Sequence, residues 1–278
     1  MSGKVYRNIW NLFAYIMLAV LTIICVIPFL SMFINATLES AVITSSFRLI
    51  PGKFTVRNYT GLIVAVNAWA GLRNSLFISC MTMIGAVYMS GITAYGFAKY
   101  RFKHREKLFW VLLATMMLPA QLGIIGVFQL MMGFGLLNSH FAIILPAMVN
   151  ASAVFFIRQY IEGYFPDSIM ESARIDGCGE LKIFHRIAVP IIMPALATQA
   201  IFIFVASWNN FIGPLILLFD NQKFTLPLMI QQTQSSVGLR DWGVMYFGLS
   251  FAVLPILIVF IFCSRFMVKG LVMGSLKE

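Results

Sequence analysis

Residues 171–219 have the sequence ESARIDGCGELKIFHRIAVP followed by IIMPALATQAIFIFVASWNNFIGPLILLF, and the two parts differ sharply in charge. The first twenty positions hold six charged side chains, whereas positions 191–219 hold no Asp, Glu, Lys or Arg. About 20 consecutive apolar residues are enough to cross the hydrocarbon core of a bilayer as a helix. The stretch therefore predicts a membrane-spanning helix that begins directly after a polar segment.

The whole chain repeats this contrast between long apolar runs and short charged segments. Of its 278 residues, 60% are hydrophobic and only 11% are charged, which is far from the composition of a soluble domain. We predict an all-α, polytopic membrane protein with six transmembrane helices. They correspond to the charge-free stretches 9–34, 74–98, 108–130, 141–157, 191–219 and 243–264.

The positions of Lys and Arg predict the orientation, because cations near the ends of spans are retained on the cytoplasmic side. With both termini in the cytoplasm, fourteen of the twenty cations lie inside and six lie outside. We therefore predict that both termini are cytoplasmic. The net charge of +10 is explained by this topology and by attraction to anionic lipid, since no basic domain with interleaved aromatic residues exists to bind nucleic acid.

Several energy-coupling and catalytic motifs are absent from the sequence. The predicted spans carry no ionisable group for ion coupling, and the chain has no GxxxxGK[ST], HExxH or GxSxG motif. The four cysteines are scattered without a CxxC pair, so we predict no metal site and no catalytic residues. Either the chain conducts solute passively, or another protein supplies the energy through a contact outside the membrane.

The charged segment between the fourth and fifth predicted spans is the candidate for that contact. Ser168 and Glu171 have the spacing of a capping box, which predicts a helix beginning near residue 167. Gly177 can end this helix in the left-handed conformation. A second short helix over 180–188 is then predicted to end at Pro190.

This helical hairpin has two interpretations on the residues alone. Its side chains are apolar at Ile169, Met170, Ala173 and Ile175 and polar at Glu171, Arg174 and Asp176. It is either a docking element for a cytosolic partner or an ordinary capped hairpin that lies at the membrane interface.

A known family has the same pattern in this segment. Glu171-Ser-Ala173, Gly177 and Ile187-x-Val189-Pro190 resemble the EAA loop, E-A-A-x3-G-x9-I-x-L-P, of permease subunits in binding-protein-dependent ABC importers. Ser172 and Val189 are conservative departures from that pattern. The similarity to carbohydrate-uptake permeases extends through AYGFAKYRFKHREKLF at 94–109, RQYIEGYFPDSIMESARIDG at 158–177 and IFIFVASWNNFIGPLIL at 201–217, and the tail from 265 is similar to that of the maltose-type G subunit.

The resemblance implies a function, a location and a set of partners. It implies a permease subunit of an ATP-driven importer in a prokaryotic cell (inner) membrane, with no enzymatic activity of its own and with ATP and Mg²⁺ bound by the partner ATPase. The implied partners are a second homologous permease, an ABC ATPase dimer, an extracytoplasmic solute-binding protein and membrane lipid. The coupling residues would be Glu171, Ala173, Arg174, Asp176 and Gly177.

The resemblance also implies a division of the chain. Residues 1–70 hold the first transmembrane helix and an outer loop, 71–266 form the type-1 transmembrane domain with the EAA loop at 161–190, and 267–278 form a cytoplasmic tail. The predicted solute is a sugar or oligosaccharide. A sugar phosphate or polyol in the same class of permease, or a passive solute channel, is the alternative.

Polar residues inside or beside the spans are candidates for contact with solute. A neutral sugar needs amides, hydroxyls and aromatic faces, and Trp208, Asn209 and Asn210 supply these in the fifth predicted span. Interhelical hydrogen bonds that hold the bundle are an equal alternative for these residues. Gln231, Gln232 and Gln234 lie in the outer loop 220–243, which either reaches a binding protein, as in related permeases, or is a solvated connector.

Overall fold

A computed structural model describes residues 2–235 and 241–275, with side chains at 7–8, 10–119, 121–233 and 241–261. The described residues contain fourteen α-helices and no β-strand, which confirms the all-α prediction for them. The helices are α1 (Ser2–Asn35), α2 (Ser40–Ser45), α3 (Thr55–Ala65), α4 (Ala68–Lys99), α5 (Arg105–Thr115), α6 (Ile124–Gly133), α7 (Phe141–Ala147), α8 (Ala151–Tyr164), α9 (Asp167–Ile175), α10 (Glu180–Ile183), α11 (Val189–Trp208), α12 (Ile212–Leu217), α13 (Leu226–Ser235) and α14 (Trp242–Ser275).

Five helical segments of the described chain are long and apolar enough to cross a bilayer. They correspond to five of the six predicted spans and lie at Trp10–Asn35, Ala68–Lys99, Phe141–Tyr164, Glu180–Trp208 and Trp242–Ile261. The chain is therefore a multi-pass membrane protein.

The predicted span 108–130 is two helices rather than one. α5 ends at Thr115 and α6 begins at Ile124, with a 3₁₀ turn over Ala120–Gly123 between them. Pro119 explains the break, because its ring lacks a hydrogen-bond donor and disfavours helical backbone at the preceding residue. The backbone of Pro119 itself, with φ of −59° and ψ of 123°, is not helical.

The predicted helix end at Pro190 is wrong, since the helical segment runs without a break from Glu180 to Trp208. A π-helical turn over Phe184–Ala188 joins α10 to α11. Pro190 then falls in the first turn of α11, where a missing backbone N–H is tolerated. The segment ends instead at Trp208, and the Asn210 side-chain oxygen accepts a hydrogen bond (3.1 Å) from the backbone N–H of Gly213 in α12.

The chain divides into two compact units. The first consists of the residues up to Ala68 together with Met229–Leu254, and the second consists of Trp69–Leu228 together with the residues from Pro255 onward. The core of the second unit is built from small residues of α4, such as Ala86 and Ala94, and branched residues of α8, such as Ile157 and Ile161, all fully buried.

Candidate functional site

The predicted coupling segment forms α9 and α10 in the second unit. α9 begins at Asp167, as predicted, but the capping box does not form. Pro166 occupies the N-cap position in extended backbone, so Ser168 lies one residue inside the helix. The Ser172 hydroxyl donates to the carbonyl of Ser168 at 2.9 Å.

Gly177 ends α9 in the left-handed conformation that the sequence predicts, with φ of +78°. The backbone N–H of Cys178 donates to the carbonyl of Ala173 and that of Gly177 donates to the carbonyl of Arg174, both at 3.0 Å. These two bonds define a Schellman motif, which satisfies helix carbonyls that would otherwise lack partners. The turn between α9 and α10 is thus defined by specific backbone hydrogen bonds and is not an irregular loop.

The start of α9 is attached to the end of α4 through Lys99. The Lys99 ammonium donates to the backbone carbonyl of Phe165 and to the Asp167 carboxylate, at 2.5 Å for the latter, and lies 4.9 Å from the centre of the Phe165 ring. The Lys99 side chain is only 5% exposed. Buried cations are retained where partners of this kind satisfy them.

The end of α9 and the start of α10 are attached to the neighbouring Tyr100. The Tyr100 hydroxyl donates to the Glu180 carboxylate, whose other oxygen accepts from Arg174 Nε at 2.7 Å. The Arg174 guanidinium also lies 5.8 Å from the centre of the Tyr100 ring. Arg174 therefore has a partner within its own loop, and α9 is held at both ends against the end of α4.

The remaining predicted coupling residues lie on two different faces of α9. Ala173 is buried, together with Met170, against the core of the second unit. Glu171 and Asp176 are exposed, and neither forms an ion pair with any other described residue. Ile175 is 87% exposed and Leu181 of α10 is 66% exposed. The outward surface of this hairpin thus combines unpaired acidic groups with large apolar side chains.

Replacing Lys99 by Met should loosen the start of α9 and lower the free energy of unfolding by about 1.5–3 kcal/mol, the contribution of hydrogen bonds to a charged group. The hydrogen bond from Lys99 also lowers the pKa of the Asp167 carboxyl. A lowered pKa in the folded state stabilises the fold above the unfolded pKa of about 3.9, so this contact is intact at neutral pH and is lost only as pH falls below that value. Thermal unfolding and hydrogen exchange at 165–177 are the measurements.

The control for this variant is Lys107→Met, which removes an exposed ammonium near the start of α5. The control should leave exchange at 165–177 unchanged. Equal exchange rates in both variants would contradict the role of Lys99.

The three pathway candidates occupy the break between α11 and α12. Trp208 is 2% exposed and its ring stacks on Phe204 with centroids 5.8 Å apart, which gives it a packing role. Asn210 caps α12 through its side chain, and Asn209 is exposed. Contact between these residues and solute stays a prediction.

The predicted outer loop 220–243 contains α13 rather than only irregular backbone. Gln231 is exposed and Gln232 is half-buried in this helix, whereas the side chain of Gln234 lies outside the described residues. Their contact with a binding protein stays a prediction. Within the described part of the chain, no group of three or more His, Cys, Asp or Glu side chains is arranged to hold a metal ion.

Residues 86–272 match the family model described as the binding-protein-dependent transport system inner membrane component. The chain belongs to this family. The matched range contains the whole segment from α8 to α11, including the α9–α10 hairpin. The resemblance to ABC importer permeases is thereby confirmed, and the chain is a transport subunit rather than an enzyme.

Similar proteins extend the match over nearly the full chain. The arabinooligosaccharides transport system permease protein AraQ of Halalkalibacterium halodurans is 36% identical over 228 residues, covering 82% of this chain and 81% of AraQ. The lactose transport system permease protein LacG of Rhizobium radiobacter is 31% identical over 282 residues and covers both chains completely. A chain from the crystal structure of a bacterial ABC transporter that imports the acidic polysaccharide alginate superposes with a TM-score of 0.81 and 21% identity, covering 93% of this chain and 96% of that one. The fold is therefore that of an ABC importer permease.

Proposed function

We propose that the chain is one of two related permease subunits of an ATP-driven importer for a neutral sugar or oligosaccharide in a prokaryotic inner membrane. In this proposal both termini and the α9–α10 hairpin are cytoplasmic, and a solute-binding protein delivers solute on the other side. ATP and Mg²⁺ bind to a partner ATPase dimer, and its closure switches the permease pair between inward and outward openings.

The observation that carries the proposal is the contrast between the two faces of α9. One face is fixed to the core through Met170 and Ala173, and the helix ends are held by Lys99 and by Glu180. The other face exposes Glu171 with no ion-pair partner among the described residues. A short helix fixed in this way transmits a displacement to the spans that it joins, because packed elements move as units.

The exposed face has the chemistry of an interface with a soluble protein. A Glu171 carboxylate that meets an ATPase guanidinium would form short, directional, charge-assisted hydrogen bonds. Ile175 and Leu181 would contribute apolar area to the same contact, because both side chains are exposed on the hairpin that carries Glu171. The ATPase partner is thus expected to offer a basic group beside an apolar cleft.

A saccharide is supported by the names of two relatives, and a neutral one by the candidate residues. AraQ and LacG are named for transport of arabinooligosaccharides and lactose. Asn209, the exposed pathway candidate, offers an uncharged amide suited to hydroxyl groups. A sugar phosphate would call for a cationic side chain, and the break at 209–211 holds none. Membership in an importer family also disfavours the passive channel.

The test is purification of the chain from its native membrane in mild detergent, followed by identification of every protein that copurifies. We expect an ABC ATPase, a second permease with an EAA-type loop and, after addition of solute, a binding protein. The complex in proteoliposomes should take up arabinotriose or lactose only when ATP is supplied to the ATPase side. Recovery of the chain alone or as a homo-oligomer, or uptake without ATP, would contradict the proposal.

A further inference from the structure

A polar recess of about 460 Å³ lies in the first unit, at the end of α1 that is remote from the N-terminus. Its lining comes from the last turn of α1, the end of α2 with the residues after it, and the first turns of α14. The lining residues are Ser31, Asn35, Ile43, Thr44, Ser45, Ser46, Phe47 and Tyr246. Its volume lies within the range of small-molecule sites in proteins.

The polar groups of this recess are neutral and present mainly acceptor oxygens. Ser31 donates to the carbonyl of Pro28 at 2.9 Å and Thr44 donates to that of Ala41 at 3.1 Å, so the hydroxyl oxygens keep lone pairs for another donor. The Asn35 amide, by contrast, makes no hydrogen bond to any described residue. It supplies two free donors and an acceptor beside those hydroxyls.

Two aromatic rings complete the lining, and the described lining residues include no Asp, Glu, Lys, Arg or His. Phe47 is 73% exposed and Tyr246 is half-buried. Aromatic faces pack against the C–H surfaces of sugar rings, while amides and hydroxyls bond the sugar hydroxyls. A cavity of about 610 Å³ in the second unit is instead lined mostly by Met, Leu, Val and Ala side chains.

The walls of the recess are held in place by contacts within the first unit. Asn58 is fully buried, and its amide donates to the carbonyls of Ala36 and Leu38 at 2.9 Å each, which fixes the chain directly after α1. The backbone N–H of Trp242 donates to the Ser40 hydroxyl at 3.0 Å and fixes the start of α14 against α2. A site formed in advance loses less free energy on binding than one that must be ordered by its ligand.

We propose that this recess is a saccharide subsite that binds the sugar hydroxyls of a neutral solute on the outer side of the permease. The inference rests on the proposed function, because the outer location follows from cytoplasmic termini and the ligand class from an importer of neutral saccharides. It adds a contact point on this chain for solute that leaves the binding protein.

The test uses the complete complex in proteoliposomes, with arabinotriose and lactose as probes and saturating amounts of the liganded binding protein. Asn35→Leu and Tyr246→Leu should each lower the uptake rate about tenfold, the change expected when about 1.4 kcal/mol of binding is lost. ATP hydrolysis stimulated by the binding protein should remain within about twofold of the unmodified complex, because the coupling hairpin is unaltered. Thr22→Val is the control on α1, since the exposed Thr22 hydroxyl bonds only its own helix at Leu18.

The outcomes separate the subsite from the proposed function. If the unmodified complex takes up a probe and both variants match it, the subsite is refuted and the importer stands. If the variants lose assembly or ATPase stimulation along with uptake, the residues are structural and the subsite is again refuted. If the assembled, unmodified complex takes up neither probe, the neutral-saccharide function fails and the subsite fails with it.

Discussion

Replacing Glu171 by Lys is expected to reduce ATP-driven uptake by about 100-fold or more while the chain still inserts and folds. Glu171 is exposed and forms no ion pair with a described residue, so its loss removes no internal contact. Reversed charge would set an ammonium against the cation that we expect on the ATPase. Like charges juxtaposed at an interface cost several kcal/mol, and about 2.8 kcal/mol corresponds to a hundredfold change in an equilibrium.

Two further variants show whether charge at this position is the cause. Glu171→Gln keeps the shape of the side chain and one acceptor oxygen but removes the charge, and should retain an intermediate rate of uptake. Glu39→Lys makes the same reversal at a half-buried carboxylate outside the hairpin, whose ion pair with Arg57 is long at 3.9 Å and contributes little. The measurements are ATP-dependent uptake and recovery of the ATPase with the chain. Normal uptake by Glu171→Lys would remove Glu171 from the coupling contact.

The sequence predicts the local features of this protein well. Charge-free runs locate the spans because the bilayer excludes ionised side chains, and Gly177 predicts the turn because few other residues adopt its backbone conformation. The start of α9 at Asp167 is also predicted closely. Each of these features depends on neighbours within a few positions.

The features that the sequence does not predict depend on distant parts of the chain. Lys99 and Asp167 are separated by 68 positions, and Tyr100 and Glu180 by 80. No periodicity or spacing rule joins residues so far apart, so these attachments of the hairpin to the end of α4 are not predicted from the sequence. The recess is likewise formed by segments about 200 positions apart, Asn35 and Tyr246 among them.

Replacing Gly177 by Ala is expected to destabilise the tip of the hairpin by about 1–2 kcal/mol, the cost of a left-handed conformation for a residue with a side chain. The position has φ of +78°, and an added Cβ would meet no atom within 4 Å, so the cost comes from backbone strain and not from collision. The strain is relieved if the Schellman hydrogen bonds of Gly177 and Cys178 break. Hydrogen exchange at 173–178 should then rise about tenfold, and coupled uptake should fall with it.

Gly179→Ala separates this strain from a general effect of a larger residue. Gly179 lies two positions away, also has open space around its Cβ position, and has an ordinary φ of −69° that alanine adopts freely. As the N-cap of α10, where alanine is less favourable than glycine, this position should cost about 0.5–1 kcal/mol on substitution, without opening the turn at 173–178, and uptake should be nearly unchanged. If both variants lose uptake equally, the turn geometry is not what matters. If only Gly177→Ala does, with faster exchange at 173–178 and the ATPase still bound, then transmission depends on the rigidity of this turn, because the partner is engaged but its displacement no longer reaches α11.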